Sequence, residues 1–139
     1  MRFFSVGVDI VENSRIKKSI INKKFLSRIF TESEINISKK INNKAAFFSK
    51  RFAAKEAFSK ALGTGFRNEL NFSDISVIND KYGKPLIEIN NKIKNIIKKK
   101  FKIKKVNVLL SISDEKKYSI ALVILGKKWI LIKNFLKKI

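Results

Sequence analysis

The chain has few carboxylates and lacks two reactive residue types altogether, which restricts what it can catalyse. The 139 residues include 11 Asp and Glu, no His and no Cys. The lack of His excludes a histidine general base, a His-containing catalytic triad and a His-ligated metal. The lack of Cys excludes disulfides and Cys-ligated zinc or iron–sulfur sites. Any metal must therefore be held by oxygen atoms, which favours a hard ion such as Mg²⁺.

Two carboxylates are candidates for a functional site. Asp9 ends an apolar run, where a carboxylate needs a physical reason, and one such reason is to cap the helix that follows. Glu56 precedes Lys60 by four residues in a predicted helix, so the two side chains share one face. Helix periodicity alone favours a solvated salt bridge between Glu56 and Lys60 over a catalytic role.

A loop containing two glycines is a further candidate. Gly63, Thr64 and Gly65 follow the same predicted helix. Backbone N–H groups in such a loop can bind a phosphate, although a glycine after a helix is more often only its C-cap. The loop is not a P-loop, because no Lys-Ser or Lys-Thr pair follows it into a helix.

The helix that carries Glu56 and Lys60 is the strongest predicted element and spans residues 43–62. Its predicted core face has three- and four-residue spacing and consists of Phe47, Ala54, Phe58 and Ala61. Before it, Thr31 and Glu34 form a capping box, which favours a structural role for Glu34 over a catalytic one.

The remaining elements are short and mixed. Helices are predicted at 13–21, 23–30, 90–101 and 128–139, and strands at 3–10, 74–78, 86–89, 106–113 and 118–125. The last two strands are expected to form a hairpin. Because no regular βαβ order appears and no linker divides the chain, the predicted fold class is α+β in one domain.

The charge of the chain is strongly positive, at +21. Such a charge attracts polyanions, but only 5 of the 32 basic residues are Arg, and AT-rich codons explain part of the lysine content equally well. A nucleic-acid-binding module is the competing hypothesis. It is disfavoured because no RNP, helix-turn-helix or KH signature is present. With neither a signal peptide nor a membrane span evident, the prediction is a cytoplasmic protein.

Several motifs together resemble one enzyme family over about residues 3 to 126. They are Gly7–Glu12, Arg15-Ile16, Arg51–Gly65, the Asp74-Ile75 strand, the Gly83-Lys84-Pro85 turn and the Ser111–Val123 hairpin. In order and spacing they are similar to holo-[acyl-carrier-protein] synthase, the small bacterial type of 4′-phosphopantetheinyl transferase. The string RFAAKEAFSKALGTG is the most specific part of this resemblance.

The resemblance implies an activity and an architecture. The family transfers the phosphopantetheine arm of coenzyme A to a serine of apo-acyl carrier protein, releases adenosine 3′,5′-bisphosphate, requires Mg²⁺ and supports fatty acid biosynthesis. It implies a long central helix packed on a small antiparallel sheet, and a homotrimer with active sites between subunits. No nucleic acid is expected as a partner. The expected domain is 1–126, with 127–139 as a basic amphipathic helical extension past the usual family end.

The resemblance also implies residue roles. Asp9 and Glu56 match the metal ligands, and Glu56 and Lys60 are the expected catalytic residues. The expected cofactor-binding residues are Arg51, Lys60, Gly63, Thr64 and Gly65, and the expected carrier-protein docking residues are Arg15, Lys18, Lys24 and Arg28. The general base is either a carboxylate, with Glu56 preferred, or a metal-bound water. Asp114 stands where the family often has His and is left outside the site.

Overall fold

The computed structural model describes residues 2–66 and 70–128 of the chain. The helices are α1 (Asn13–Ser19), α2 (Lys23–Ile29), α3 (Glu32–Ser38), α4 (Lys44–Leu62) and α5 (Asn91–Phe101), with a short 3₁₀ turn at Phe72–Asp74. The strands are β1 (Arg2–Glu12), β2 (Ile75–Asn79), β3 (Pro85–Ile89), β4 (Val106–Asp114) and β5 (Tyr118–Lys127). For each element that was predicted with bounds within the described residues, the observed bounds lie within a few residues of the predicted ones.

Two antiparallel sheets form the β part of the fold. The larger sheet has the strand order β1-β5-β4, and the smaller sheet consists of β2 and β3. The predicted hairpin is confirmed as β4–β5, with Asp114 opposite Ser119 at its turn. Helix α4 packs against β1 and β5. The α+β fold with a long central helix on a small antiparallel sheet is thereby confirmed.

Close contact between β1 and α4 depends on Gly7. A Cβ atom built at Gly7 would overlap the carbonyl oxygen of Ala57 and lie 2.5 Å from the backbone nitrogen of Ala61. Both obstacles are backbone atoms, so a larger residue would force the strand away from the helix. Because Asp9 lies two residues further along β1, Gly7 fixes how near Asp9 comes to α4.

Local signals explain where α4 begins and ends. The side chain of Asn43 accepts a hydrogen bond from the Ala46 N–H at 3.0 Å, which satisfies one free donor of the first turn. Gly63 ends the helix with φ of 73°, a left-handed conformation that favours glycine. The predicted core face is buried, and polar side chains at Ser49, Lys55 and Ser59 are buried as well. The helix is therefore enclosed on more sides than its apolar face predicts.

A buried ion pair joins α3 to α4. Lys55 Nζ lies 2.7 Å from Glu34 Oε2 and donates to the Ile29 carbonyl at 2.7 Å. Glu34 also accepts the N–H groups of Thr31 at 2.8 Å and of Val77 at 2.9 Å, the first as part of the predicted capping box. Burial lowers the pKa of Lys55, and the Glu34 carboxylate opposes that shift. The structural role predicted for Glu34 is confirmed.

Replacing Lys55 with Met is expected to lower the free energy of unfolding by about 3–5 kcal/mol, because the Glu34 carboxylate would stay buried without its partner charge. Urea denaturation measures this effect. The matched control is Lys50→Met on the same helix, since Lys50 is partly exposed and its ion pair with Asp114 is 3.7 Å long. The control should change stability by about 0.5 kcal/mol or less. Equal effects of the two substitutions would contradict the role given to the buried pair.

The last described strand runs to the start of the predicted extension. Lys127 ends β5, where it pairs with Arg2 of β1. The division of the chain into a domain at 1–126 and an extension at 127–139 stays a prediction. The predicted extension beyond Lys128 lies outside the described residues. Within 2–66 and 70–128, no helix combines the length and apolar character needed to cross a bilayer.

Candidate active site

The second half of β1 and the second half of α4 bring three predicted site residues together. Lys60 Nζ lies 2.7 Å from Asp9 Oδ1 and donates to the Val8 carbonyl at 3.1 Å. Asp9 is mostly covered, with 14% of its side chain exposed, whereas 53% of the Lys60 side chain is exposed. The predicted Glu56–Lys60 surface pair is therefore replaced by an Asp9–Lys60 pair that ties the strand to the helix.

Glu56 lies beside this pair and responds to it electrostatically. Its carboxyl is half-buried, and burial followed by repulsion from Asp9 raises its pKa, while the Lys60 ammonium acts in the opposite direction. Two carboxylates close enough to repel each other are stabilised by a cation placed between them. The electrostatic environment of the site therefore favours binding of a further cation in addition to the Lys60 ammonium.

Both carboxylates line one open cavity. Its volume is about 330 Å³, and its walls come from β1, α1, α2 and α4. The polar lining includes Asp9, Glu56, Arg15 and Ser19, and the aromatic lining consists of Phe25 and Phe52. The cavity therefore offers metal-ligand oxygens, a guanidinium and an apolar wall to the same bound molecule.

The donor set at this cavity fits a hard divalent ion. Asp9 and Glu56 supply carboxylate oxygens, and the described residues contain no group of three or more potential protein ligands. Mg²⁺ commonly binds through one or two carboxylates and completes its octahedron with water and substrate phosphate oxygens. A site with two carboxylates and an open side matches that preference.

The predicted docking residues lie on the rim of this cavity or on the helices that build it. Arg15 of α1 lines the cavity directly. Lys18 is exposed on α1, and Lys24 and Arg28 are exposed on α2. Because α1 and α2 both contribute walls, this basic surface adjoins the two carboxylates.

Arg51 is not brought to the cavity. It precedes Lys60 by nine residues, which is about two and a half helical turns and directs the two side chains to opposite faces. Arg51 is 6% exposed, its guanidinium lies 3.6 Å from the Phe47 ring centre, and its Nη2 donates to Asn79 Oδ1 at 3.0 Å. Within the described chain, Arg51 therefore packs at the α4–β2 contact rather than beside Lys60.

The glycine loop caps the end of α4. The N–H groups of Gly63 and Gly65 both donate to the Ser59 carbonyl, at 3.1 and 3.4 Å. The Thr64 hydroxyl donates to the Gly65 carbonyl at 3.1 Å. These bonds are those of a helix C-cap, and the cofactor-binding role of the loop stays a prediction.

Asp114 does not line this cavity. It ends β4 and pairs with Lys50 at 3.7 Å, with about a third of each side chain exposed. The Lys50 ammonium therefore partly compensates the charge of the Asp114 carboxylate.

The aromatic wall was missed by the sequence analysis. Phe25 and Phe52 stack with their ring centres 6.4 Å apart, and Phe72 also stacks on Phe52, with ring centres 5.5 Å apart. Phe52 precedes Glu56 by four residues, so helical spacing already places it on the same face. That spacing was the available signal.

Known proteins match this chain along most of its length. The family model described as the 4′-phosphopantetheinyl transferase superfamily matches residues 5–123. A holo-[acyl-carrier-protein] synthase of Pelagibacter ubique is 64% identical over 128 residues, covering 92% of this chain and 100% of that protein. One of Clostridium tetani is 50% identical over 118 residues, covering 84% and 90%.

Solved structures agree with the fold described above. The Bacillus anthracis holo-(acyl-carrier-protein) synthase in complex with CoA (3′,5′-ADP) superposes with a TM-score of 0.76 at 38% identity, over 92% of this chain and 100% of that chain. The Neisseria meningitidis enzyme superposes with a TM-score of 0.79 at 33% identity, over 90% and 99%. The motif resemblance and the fold agree with these matches, and the chain belongs to the 4′-phosphopantetheinyl transferase superfamily.

Proposed function

We propose that this protein transfers the 4′-phosphopantetheine group of coenzyme A to a serine of apo-acyl carrier protein. The observation that carries the proposal is that Asp9 and Glu56 line one cavity together with Arg15, while Lys60 is paired with Asp9. The relatives named above are holo-[acyl-carrier-protein] synthases, and one was solved with CoA (3′,5′-ADP). The reaction requires anion binding and charge stabilisation, which these residues can supply.

In the proposed reaction, the serine oxygen attacks the β-phosphorus of coenzyme A. A new P–O bond to the serine forms as the P–O bond to the bridging oxygen breaks, and adenosine 3′,5′-bisphosphate leaves with the bonding electrons. Lys60 stabilises negative charge that develops on the leaving phosphate. Glu56 accepts the serine proton, and its raised pKa makes it a better base than an ordinary surface carboxylate.

Asp9 and Glu56 would hold Mg²⁺ in this site. When bound, Mg²⁺ supplies charge neutralisation at the pyrophosphate oxygens. The chain's own contribution is to fix the two carboxylates, through Gly7 and the Asp9–Lys60 pair, at the mouth of the cavity. The aromatic wall of Phe25 and Phe52 shields one side of that mouth from water.

Mass spectrometry tests the activity directly. Apo-acyl carrier protein incubated with this protein, coenzyme A and Mg²⁺ should gain the mass of one phosphopantetheine group, and adenosine 3′,5′-bisphosphate should appear in equal amount. Omitting coenzyme A provides the control. An unmodified carrier protein after prolonged incubation with folded enzyme would refute the proposed function.

The basic surface of α1 and α2 is proposed to dock the acidic carrier protein. Its exposed cations are Arg15, Lys18, Lys24 and Arg28, and Arg15 also reaches the cavity. Docking there would bring the acceptor serine toward Asp9 and Glu56. Charge pairs at such a rim mainly accelerate encounter and are screened over about 10 Å at ordinary salt.

Arg15→Glu is therefore expected to slow association with the carrier protein by about tenfold or more while leaving coenzyme A binding unchanged. Stopped-flow association, measured as ionic strength rises, should show a steep decrease for the wild-type protein. Lys39→Glu is the matched control, since it reverses an exposed charge at the end of α3. A flat salt dependence, with Arg15→Glu unchanged, would favour codon drift as the origin of the charge.

A homotrimer is proposed because the sheet face turned away from α4 is apolar and exposed. Val6, Val8 and Ile10 of β1 are 60%, 50% and 62% exposed, and Ile120 and Leu122 of the neighbouring strand are 41% and 39% exposed. Alternate residues of β1 point to opposite faces, so these side chains form one continuous patch. Exposed apolar patches of this kind are typical of subunit interfaces.

Val8→Asp combined with Ile10→Asp is expected to convert the trimer to monomers, because each protomer would place charges in a desolvated interface. Sedimentation velocity measures the change. Reversing an exposed charge outside the patch, with Lys81→Glu, should leave the trimer intact. A wild-type protein that sediments as a monomer at all concentrations would rule out this assembly.

A further inference from the structure

The positive charge is not evenly spread along the chain. Between Glu88 and Asp114 there are eight lysines and no carboxylate, and no carboxylate follows Glu115. By contrast, nine of the 11 acidic residues lie at or before Glu88. The positive charge that is not balanced by carboxylates is therefore concentrated in the second half of the chain. Lysine enrichment spread at random along the chain would not produce this separation of basic and acidic residues.

The fold gathers much of this charge at one end of the molecule. The basic end is defined here as the six lysines of residues 98–105 together with Lys127 and Lys128. These parts adjoin one another, because the Lys128 N–H donates to the Lys105 carbonyl at 3.2 Å and Lys127 pairs with Val106. All eight lysines are exposed. The basic end is thus one continuous cationic surface.

These charges are not neutralised by the described part of the protein. Of the ion pairs found within residues 2–66 and 70–128, none includes a lysine of the basic end. Part of this surface is concave, since Lys98, Lys99 and Lys102 line a depression together with Ile96. An extended, uncompensated cationic surface is suited to an anionic partner of similar extent.

The residue composition of the basic end favours a lipid surface over a nucleic acid as its partner. Apart from the neighbouring Arg2, every cation here is lysine, which binds phosphate as a point charge without the bidentate geometry used to read bases. The Phe101 ring, which lies 5.6 Å from Lys100 Nζ, packs on Phe4 with ring centres 4.8 Å apart, and this contact reduces its use as a stacking platform for bases.

The composition of the segment that follows the basic end, residues 129–139, also favours a lipid surface. Eleven residues follow Lys128, and they comprise seven apolar residues including Trp129, three lysines and one asparagine. Apolar residues and tryptophan interleaved with lysine are typical of segments at a membrane interface. The chain therefore places this composition directly after the basic end.

We propose that the basic end docks the protein on an anionic phospholipid bilayer as a peripheral protein. The lysines of residues 98–105 and of 127–128 would lie over the anionic headgroups. Each lysine close to such a surface strengthens partition about fivefold, so several together give binding that depends on salt and lipid charge. The docking neither requires nor alters the transfer chemistry, which lies at Asp9 and Glu56.

Vesicle co-sedimentation of the full-length protein tests this proposal at about 0.15 M ionic strength. Vesicles of phosphatidylcholine and phosphatidylglycerol should bind the protein, whereas pure phosphatidylcholine vesicles should not. Lys98→Glu with Lys99→Glu should weaken partition by at least about tenfold. Lys104→Glu with Lys105→Glu provides an independent second variant, should the first fail to fold. Both pairs lie outside the transfer site, so activity reports their folding.

Lys39→Glu with Lys40→Glu is the matched control. It makes the same change in net charge, but at the opposite end of α4 from the basic end. Lys40 lies three residues before the N-cap of α4, whereas Gly63, which ends this helix, lies close to Lys100 of the basic end. Partition that falls equally in control and test variants would show a general charge effect and overturn the proposal. Tighter binding to duplex RNA than to the vesicles, or release from the vesicles by saturating coenzyme A, would overturn it as well.

Discussion

Substitution of Asp9 or Glu56 by alanine is expected to reduce phosphopantetheine transfer by about a thousandfold or more. A loss of that size corresponds to about 4 kcal/mol of transition-state stabilisation, the order of magnitude that a metal ion supplies in charge neutralisation. The fold should survive, because the Asp9 carboxylate pairs with an exposed lysine and Glu56 is half-buried at a cavity mouth.

The site contains few groups that could replace Asp9 or Glu56 as a metal ligand. Within the described residues, no third carboxylate joins Asp9 and Glu56 in a potential metal-ligand group. The two carboxylates also repel each other, since Asp9 contributes to the raised pKa of Glu56, and this repulsion favours the binding of a cation. Removing either carboxylate therefore deletes a ligand and weakens the electrostatic attraction for the metal ion.

Two measurements test this prediction. Turnover at limiting Mg²⁺ gives the loss of activity, and isothermal titration of Mg²⁺ in the presence of coenzyme A gives the loss of binding independently of turnover. Glu12→Ala is the matched control, because Glu12 is an exposed carboxylate on the same strand whose side chain accepts a bond from Ser14 at 2.6 Å. Near-normal turnover of both Asp9→Ala and Glu56→Ala would show that the metal assignment is wrong.

The elements of the fold could be predicted because their signals are local. The capping box at Thr31, the N-cap at Asn43 and the left-handed Gly63 each involve residues within a few positions of one another. Apolar periodicity likewise identifies the core face of α4 and the hairpin strands. Such signals need no knowledge of distant parts of the chain.

Partners that come from distant parts of the chain could not be predicted in this way. Lys55 and Lys60 both look like ordinary helix lysines, yet one is buried against Glu34 and the other binds Asp9 across 51 positions. Arg51 was grouped with Lys60 on family resemblance, whereas the helix directs it toward Asn79. Only the packing of α4 against β1, β2 and α3 separates these cases.

Because Lys60 pairs with Asp9 rather than with Glu56, its substitution is the second change for which a large effect on activity is expected. Lys60→Met is expected to lower kcat by about a hundredfold or more, because its ammonium group is proposed to stabilise the leaving phosphate in the transition state. It also leaves the Asp9 carboxylate, only 14% exposed, without its partner at 2.7 Å. The affinity for the carrier protein should stay the same, since Lys60 belongs to α4 and the docking cations belong to α1 and α2.

Steady-state kinetics with coenzyme A and stopped-flow association with the carrier protein separate these two effects. Lys60→Arg keeps the charge and should retain more activity than Lys60→Met, while Lys50→Met on the same helix should be nearly neutral. If Lys60→Met only weakened association and left kcat unchanged, Lys60 would be a docking residue. The observed Asp9–Lys60 pair favours the other result, because it holds a cation beside the carboxylates that are proposed to bind the metal and the pyrophosphate.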